Sequence, residues 1–252
     1  MAARLRAAGC VFAEDEARLL AFAARTPEEL AVMVGRRVAG LPLEQVIGWA
    51  EFCGLRIAVD PDVFVPRRRT EFLVRQAAAL ACPHDVVVDL CCGAGAIGAA
   101  LAASVSRLEV HAVEIDPAAA ACARRNLEGS GGRVYEGDLF DPLPPALRGR
   151  VALIVANVPY VPSDEVRLLP AEARVHEPRV ALDGGPDGLD VLRRVAAGAR
   201  DWLVPGGRLL IETGERQVRP ATAAFEASGL AVRVESSNDL NATVVIGTSV
   251  GP

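Results

Sequence analysis

The hydrophobic pattern at the start of the chain is helical. Apolar residues recur near helical spacing through residues 4–38, as they do on one face of a helix. Gly40 and Pro42 follow, and both residue types are typical of the end of a helix. The pattern therefore predicts an N-terminal helical region over residues 1–42.

A different pattern follows this helical region. Apolar runs at 46–52 and 55–59 flank Cys53-Gly54, which predicts a short β-hairpin with a tight turn. We expect this hairpin to form a linker over residues 43–62. A helical pattern returns at 70–81.

From residue 86 onward, short apolar runs alternate with helical patterns. The strand-like runs lie at 86–88, 109–114, 133–136, 151–156 and 207–212, and the helical patterns lie at 96–103, 117–128 and 188–203. This alternation predicts an α/β domain over residues 63–252 with a largely parallel, buried sheet. The last two runs, 230–235 and 242–247, are joined by a segment too short for a helical crossover, which predicts an antiparallel pair.

Composition indicates a folded protein and excludes several classes. Of the 252 residues, 51% are hydrophobic and 23% are charged, which excludes a disordered or collagen-like chain. All 27 basic residues are Arg, and 32 acidic residues give a net charge of −5. Such a chain has no broad positive surface, so we expect no direct nucleic-acid binding.

The cysteines and histidines predict no metal site. The six Cys form no C-x-x-C pair, and the three His are scattered along the chain. No stretch approaches the roughly 20 uncharged apolar residues that a membrane span requires. We therefore expect a soluble, cytoplasmic protein with no metal and no membrane partner.

A glycine-rich turn follows the first strand of the α/β domain. Gly93, Gly95 and Gly98 let the backbone turn tightly and approach a ligand, and Glu114 ends the next strand, where an acid suits ribose hydroxyls. The spacing alone matches the dinucleotide fingerprint, so a nicotinamide-dependent oxidoreductase is one hypothesis. Asp89 opposes it, because its carboxylate would lie close to a pyrophosphate. An acid there better suits a ligand with an amino group and a sulfonium, such as S-adenosylmethionine.

A second candidate site follows the apolar run at 151–156. Asn157-Val158-Pro159-Tyr160 comes directly after this strand, and ligands of open α/β sheets bind beyond the carboxyl ends of strands. The Asn side chain offers both an acceptor and a donor, and the Tyr ring offers a flat apolar face with a polar tip. We expect the tetrad to lie beside the glycine-rich turn, although the same residues alone are also compatible with an ordinary turn.

Together these motifs resemble the release-factor glutamine methyltransferase family (HemK/PrmC), whose signature tetrad is Asn-Pro-Pro-Tyr. Each motif alone is unspecific, but the ordered set, which covers residues 43–247, is specific. The similar segments are Leu43–Leu55, Val65–Glu71, Asp89–Ile97, Ala112–Asp116, Gly137–Phe140, Asn157–Tyr160, His176–Arg179, Ala181–Asp190, Pro205–Gly207 and Leu210–Glu212.

The resemblance implies a Rossmann-like class I methyltransferase with a seven-stranded, mostly parallel sheet and a small N-terminal helical domain for substrate recognition. It implies S-adenosylmethionine as cofactor and N5-methylation of the glutamine in the Gly-Gly-Gln loop of peptide chain release factors, which would be the protein partners of a monomeric enzyme. By position, it assigns cofactor binding to Asp89, Cys91, Cys92, Gly93, Ala94, Gly95, Glu114, Asp138, Leu139 and Asn157. It assigns the acceptor amide and catalysis to Asn157, Val158, Pro159 and Tyr160.

The chain departs from the family pattern in three places. Val158 stands where the tetrad has its first Pro, Arg68 and Arg69 replace Pro and Glu, and the helical region is shorter. These departures suggest a paralogue with a shifted substrate, and they leave another protein or a small molecule open as the methyl acceptor. Adenine-N6 methylation of nucleic acid uses a similar tetrad but needs a basic recognition region. A regulator that binds the cofactor without catalysis is a further alternative.

Overall fold

The structure is a computed structural model that describes residues 1–250 of the chain. Its strands are β1 (Trp49–Phe52), β2 (Leu55–Ala58), β3 (Val86–Leu90), β4 (Glu109–Glu114), β5 (Arg133–Glu136), β6 (Val151–Ala156), β7 (Leu203–Thr213), β8 (Leu230–Ser237) and β9 (Ala242–Ser249). Its α-helices are α1 (Ala2–Ala7), α2 (Ala13–Ala23), α3 (Pro27–Val38), α4 (Leu43–Ile47), α5 (Glu71–Leu80), α6 (Ala96–Ser104), α7 (Pro117–Leu127), α8 (Ala171–His176), α9 (Asp190–Ala199) and α10 (Val218–Ala227). No helix among residues 1–250 is long and apolar enough to cross a membrane.

Seven strands form one sheet in the order β5-β4-β3-β6-β7-β9-β8. The first five of these run parallel, and β9 is antiparallel to both of its neighbours. The predicted mostly parallel, seven-stranded sheet and the terminal antiparallel pair are therefore confirmed. The chain order reverses between β3 and β6, and ligands of open α/β sheets bind at such a switch point, beyond the carboxyl ends of the strands.

Helices cover both faces of the sheet. One core lies between the sheet and α5, α6 and α7, and it also takes in the β1-β2 hairpin. A second core lies on the opposite face, under α9 and α10. Alternate residues of β3 enter different cores, since Val87 belongs to the first and Val88 to the second. Burial on both faces explains why β3 is apolar at nearly every position.

The helical region before the hairpin has a small core of its own. Leu5 and Leu20 are fully buried in it, packed against α3 and α4. Arg37 makes a bidentate contact with Glu16, with Nε to Oε2 at 2.6 Å and Nη2 to Oε1 at 3.1 Å. The same guanidinium reaches Glu172 on α8 at 3.1 Å. This ion-pair cluster ties the helical region to a segment that lies over the candidate site.

Local structure differs from the sequence predictions at three points. Residues 46 and 47 belong to α4 rather than to a strand, so the hairpin begins at Trp49. The helical pattern at 188–203 forms a shorter helix, because residues 200–202 form a turn and Leu203 already begins β7. The helices α8 and α10 were not predicted, since α8 has only six residues and α10 carries Pro220 near its start.

Candidate active site

A cavity of about 810 Å³ opens at the carboxyl ends of β3, β4 and β6. Its size is typical of small-molecule sites. The structure brings both predicted motifs to this cavity: the predicted residues in its lining are Cys91, Gly93, Glu114, Asp138, Leu139, Asn157, Val158, Pro159 and Tyr160. The predicted residues outside the lining are Asp89, Cys92, Ala94 and Gly95.

The glycine-rich turn owes its shape to backbone conformations that favour glycine. Gly93 has φ +55°, and a Cβ there would meet nothing within 4 Å, so its missing side chain leaves room in the cavity. Gly95 has φ +76°, and a Cβ would approach Ala123 of α7 to 3.1 Å. The first glycine therefore leaves space for a ligand, whereas the second allows α6 and α7 to pack closely.

Glu114 fastens this turn to the next strand. Its Oε2 accepts the Gly93 N–H at 2.7 Å, and its Oε1 accepts the N–H groups of Ile115 and Asp116 at 2.8 and 3.0 Å. Burial raises the pKa of the carboxyl, and these three hydrogen bonds oppose the rise. A carboxylate offers about four acceptor positions, so one remains for a ligand hydroxyl.

Asp89 lies behind the cavity wall and does not line it. The carboxyl is fully buried, with Oδ2 accepting the Gly98 N–H at 2.9 Å and Oδ1 without a partner. Burial raises its pKa to about 7, the Gly98 hydrogen bond opposes the rise, and the charge on Glu114 adds to it. Asp89 thus joins the strand to the start of α6 from beneath, and Cys91 and Gly93 form the cavity lining in front of it.

The tetrad after β6 presents a free hydrogen-bond acceptor. The Nδ2 of Asn157 donates to Oγ1 of Thr70 at 3.3 Å, while its buried Oδ1 has no partner in the structure. Thr70 precedes α5 and is 3% exposed. Asn157 thus retains one acceptor that can receive an N–H from a bound molecule, because buried amide oxygens are normally paired.

Two glycines of a distant segment shape the tetrad backbone. A Cβ on Gly184 would lie 2.5 Å from the carbonyl oxygen of Pro159, and a Cβ on Gly188 would lie 2.2 Å from that of Tyr160. Gln217 also donates its Nε2 to the Tyr160 carbonyl at 2.9 Å. The glycine-rich segment at 184–188 is therefore required for close packing beneath the tetrad.

An ion pair lies beside Tyr160 of the tetrad, with Arg69 in the cavity lining and Glu212 outside it. Arg69 places its guanidinium 5.2 Å from the centre of the Tyr160 ring, and its Nε lies 2.9 Å from Oε1 of Glu212. Glu212 lies near the end of β7, is 2% exposed, and leaves Oε2 without a partner. This Arg69–Glu212 pair was not predicted, because nothing in the sequence links position 69 to a strand so far along the chain.

The loop that carries α8 covers the cavity from the opposite side. Glu172 and Glu177 line the cavity from this loop. Arg67 forms an ion pair with the buried Glu177, whose Oε1 also accepts the Val65 N–H at 3.2 Å. These contacts join the loop to the segment before α5, so the cavity walls come from parts of the chain that are far apart in sequence.

Comparison with known proteins identifies the family to which this arrangement belongs. Residues 55–186 match the methyltransferase small domain family. A release factor glutamine methyltransferase of Geobacter sulfurreducens is 40% identical over 230 residues, covering 89% of this chain and 80% of that protein. The chain belongs to the release factor glutamine methyltransferase family, and it is a methyltransferase.

Two other similarities broaden this picture. A 4-amino-L-phenylalanine/4-methylamino-L-phenylalanine methyltransferase of Streptomyces pristinaespiralis is 39% identical, covering 78% of this chain and 69% of that protein. The crystal structure of a methyltransferase from Pyrococcus furiosus matches with a TM-score of 0.60 and 18% identity, covering 78% of this chain and 90% of that one. The second similarity bears on the fold alone, and it agrees with the predicted class I methyltransferase architecture.

Proposed function

We propose that this methyltransferase transfers a methyl group from S-adenosylmethionine to the N5 amide nitrogen of a glutamine in the Gly-Gly-Gln loop of a peptide chain release factor, in the cytoplasm. The unpartnered Oδ1 of Asn157, on a side chain that lines the cavity, carries this proposal. A primary carboxamide has two N–H donors, and it fits an acceptor at this place. The 40% identity to named release factor enzymes supports the same acceptor.

The residues around the glycine-rich turn fit the cofactor. Gly93 leaves the space that a ligand's methionine part needs, and the remaining acceptor position of Glu114 suits a ribose hydroxyl. Asp138 and Leu139 line the cavity where the adenine would lie, although Asp138 also pairs with Arg194 at 2.7 Å. When bound, S-adenosylmethionine supplies an activated methyl group on a sulfonium.

The task left to the protein is alignment. A carboxamide nitrogen is a poor nucleophile because its lone pair is delocalised into the carbonyl. We infer that Asn157 Oδ1 accepts one amide N–H and the backbone carbonyl of Val158 accepts the other, which aims the nitrogen at the methyl group. Polarised N–H bonds also stabilise the positive charge that develops on nitrogen. No nucleophilic Cys is needed, and burial raises the pKa of the Cys91 thiol well above its ordinary value.

The Asn157→Ala variant tests this arrangement. It should abolish methyl transfer while the affinity for S-adenosylmethionine, measured by calorimetry, stays within a few-fold of the parent. Asn238→Ala, in the exposed turn between β8 and β9, is the matched control and should retain activity. Undiminished transfer by Asn157→Ala would contradict the proposed amide clamp.

A second candidate acceptor is a small amino acid. Arg69 stands where the family has Glu, and its guanidinium lies against Tyr160 on the cavity wall, where it suits an acceptor with a carboxylate. One relative at 39% identity is named for methylation of an amino-substituted phenylalanine. Labelled methyl transfer to aromatic amino acids, in the absence of any protein acceptor, would favour this function over release factor methylation.

A further inference from the structure

Thr70 and Glu212 lie behind Asn157 and take no direct part in the proposed transfer. Both side chains are nearly fully buried, at 3% and 2% exposure. The register of β6 and β7 pairs Ala156 with Ile211, so the residues that follow, Asn157 and Glu212, lie side by side. Arg69 pairs with Oε1 of this buried carboxylate, but Oε2 has no partner, and a buried charge is costly unless its oxygens are satisfied.

The hydrogen bonds around Thr70 have a direction. Asn157 donates its Nδ2–H to the Thr70 hydroxyl, which has a single proton of its own to donate. Glu212 is the carboxylate nearby, and its buried Oε2 has no hydrogen-bond partner, so it is free to accept that proton in a hydrogen bond. Burial raises the pKa of the Glu212 carboxyl, whereas the neighbouring Thr70 hydroxyl and the charge of Arg69 oppose the rise. An ionised Glu212 can only accept, so a hydrogen bond between Thr70 and Glu212 has to run from the hydroxyl to the carboxylate.

We propose that Thr70 and Glu212 are positioning residues that fix which way the Asn157 carboxamide faces. Since the carboxylate accepts the hydrogen bond that the Thr70 hydroxyl donates, Thr70 presents only lone pairs to Asn157. The amide must then turn its NH2 group toward Thr70, and its oxygen stays available for the acceptor's N–H. If the amide turned over, its NH2 group would meet an N–H of the acceptor, and transfer would lose its alignment. The effect on activity rests on the proposed function, but the orientation of the amide does not.

Kinetics of three variants test the proposal. Thr70→Val removes the hydroxyl at nearly constant volume, and it should lower kcat roughly tenfold to a hundredfold, with KM and cofactor affinity changed about twofold or less. Thr70→Ser keeps the hydroxyl and should stay within about threefold of the parent, as should the matched control Thr222→Val on α10. Glu212→Gln can donate to Thr70 and so reverse the chain, and it should lose kcat as Thr70→Val does. Equal activity of Thr70→Val and Thr70→Ser would overturn the proposal.

A second measurement needs no methyl acceptor. The chain has four Asn residues, so selective 15N labelling of asparagine gives few side-chain amide signals, and Asn157→Ala assigns the one of interest. One Asn157 amide proton should exchange slowly with solvent in the parent and in Thr70→Ser, and fast in Thr70→Val. Identical exchange in all three proteins would overturn the proposal, even if each is folded. Failure of the parent to methylate a release factor, with protection intact, would instead contradict the proposed function alone.

Discussion

Replacing Glu114 by Gln isolates the contribution of one charge to the glycine-rich turn. In the parent protein the N–H groups of Ile115 and Asp116 both donate to Oε1 of Glu114, at 2.8 and 3.0 Å. The amide oxygen of the variant can take the place of Oε1 and accept both. Its NH2 group would then face the Gly93 N–H, which loses its 2.7 Å acceptor and is left beside another donor. Loss of one hydrogen bond to a charged group is worth about 1.5–3 kcal/mol, so we expect the free energy of unfolding to fall by about 2 kcal/mol.

The same change should weaken cofactor binding, because the turn that shapes the cavity loses its anchor and the ribose hydroxyl that the proposed function assigns to Glu114 would lose a charged acceptor. We expect roughly tenfold to hundredfold lower affinity for S-adenosylhomocysteine by calorimetry. Urea unfolding measures the stability term. Glu109→Gln, on the same strand but with 43% of its side chain exposed, is the matched control and should cost less than about 1 kcal/mol. Unchanged affinity would remove Glu114 from the cofactor site, and unchanged stability would refute its role in holding the turn.

Two further predictions concern buried charged groups, and unfolding measurements test both. Arg37→Met leaves Glu16 buried without its bidentate partner, so urea unfolding should show a free energy of unfolding lower by about 3–5 kcal/mol. Glu172→Gln is the comparison, and it should lower the free energy of unfolding by less than about 1 kcal/mol because the Glu172 side chain is 40% exposed. Equal effects of the two substitutions would contradict the argument from burial. The pKa of Asp89 is near 7 in the folded protein against an ordinary value of 3.8. The stability contributed by its protonated form is therefore full below pH 3.8 and is lost as the pH rises toward 7. The free energy of unfolding of the parent should therefore fall between pH 5 and pH 8 by an amount that is missing in Asp89→Asn. The same pH dependence in the parent and in Asp89→Asn would refute this role of Asp89.

The inner strands β3, β4 and β6 were predictable because burial on both faces makes each one a short, mostly apolar run, whereas the edge strand β5 is only partly buried. The runs at 109–114, 133–136 and 151–156 coincide with β4, β5 and β6 to the residue. The hairpin was also predictable, since Cys53-Gly54 is a turn signal between two such runs. Helices were harder where they are short or carry proline, as α8 and α10 show.

The candidate site was predictable only where its residues are contiguous in sequence. The glycine-rich turn and the tetrad are local motifs, and both line the cavity. Asp89 could be placed at the turn, but whether its side chain faces the ligand depends on packing that the sequence does not display. The contacts of Asn157 with Thr70 and of Arg69 with Glu212 join segments far apart along the chain, and without a fold no pattern indicates which distant polar residues meet.

Methyl transfer from labelled S-adenosylmethionine to a purified release factor tests the central claim most directly. The acceptor would be compared with a variant whose Gly-Gly-Gln glutamine is replaced by alanine, and mass spectrometry would locate the added methyl group. We expect one methyl on that glutamine, none on the alanine variant, and none with the Asn157→Ala enzyme. Intact cofactor binding without transfer to the release factor would contradict the proposed acceptor.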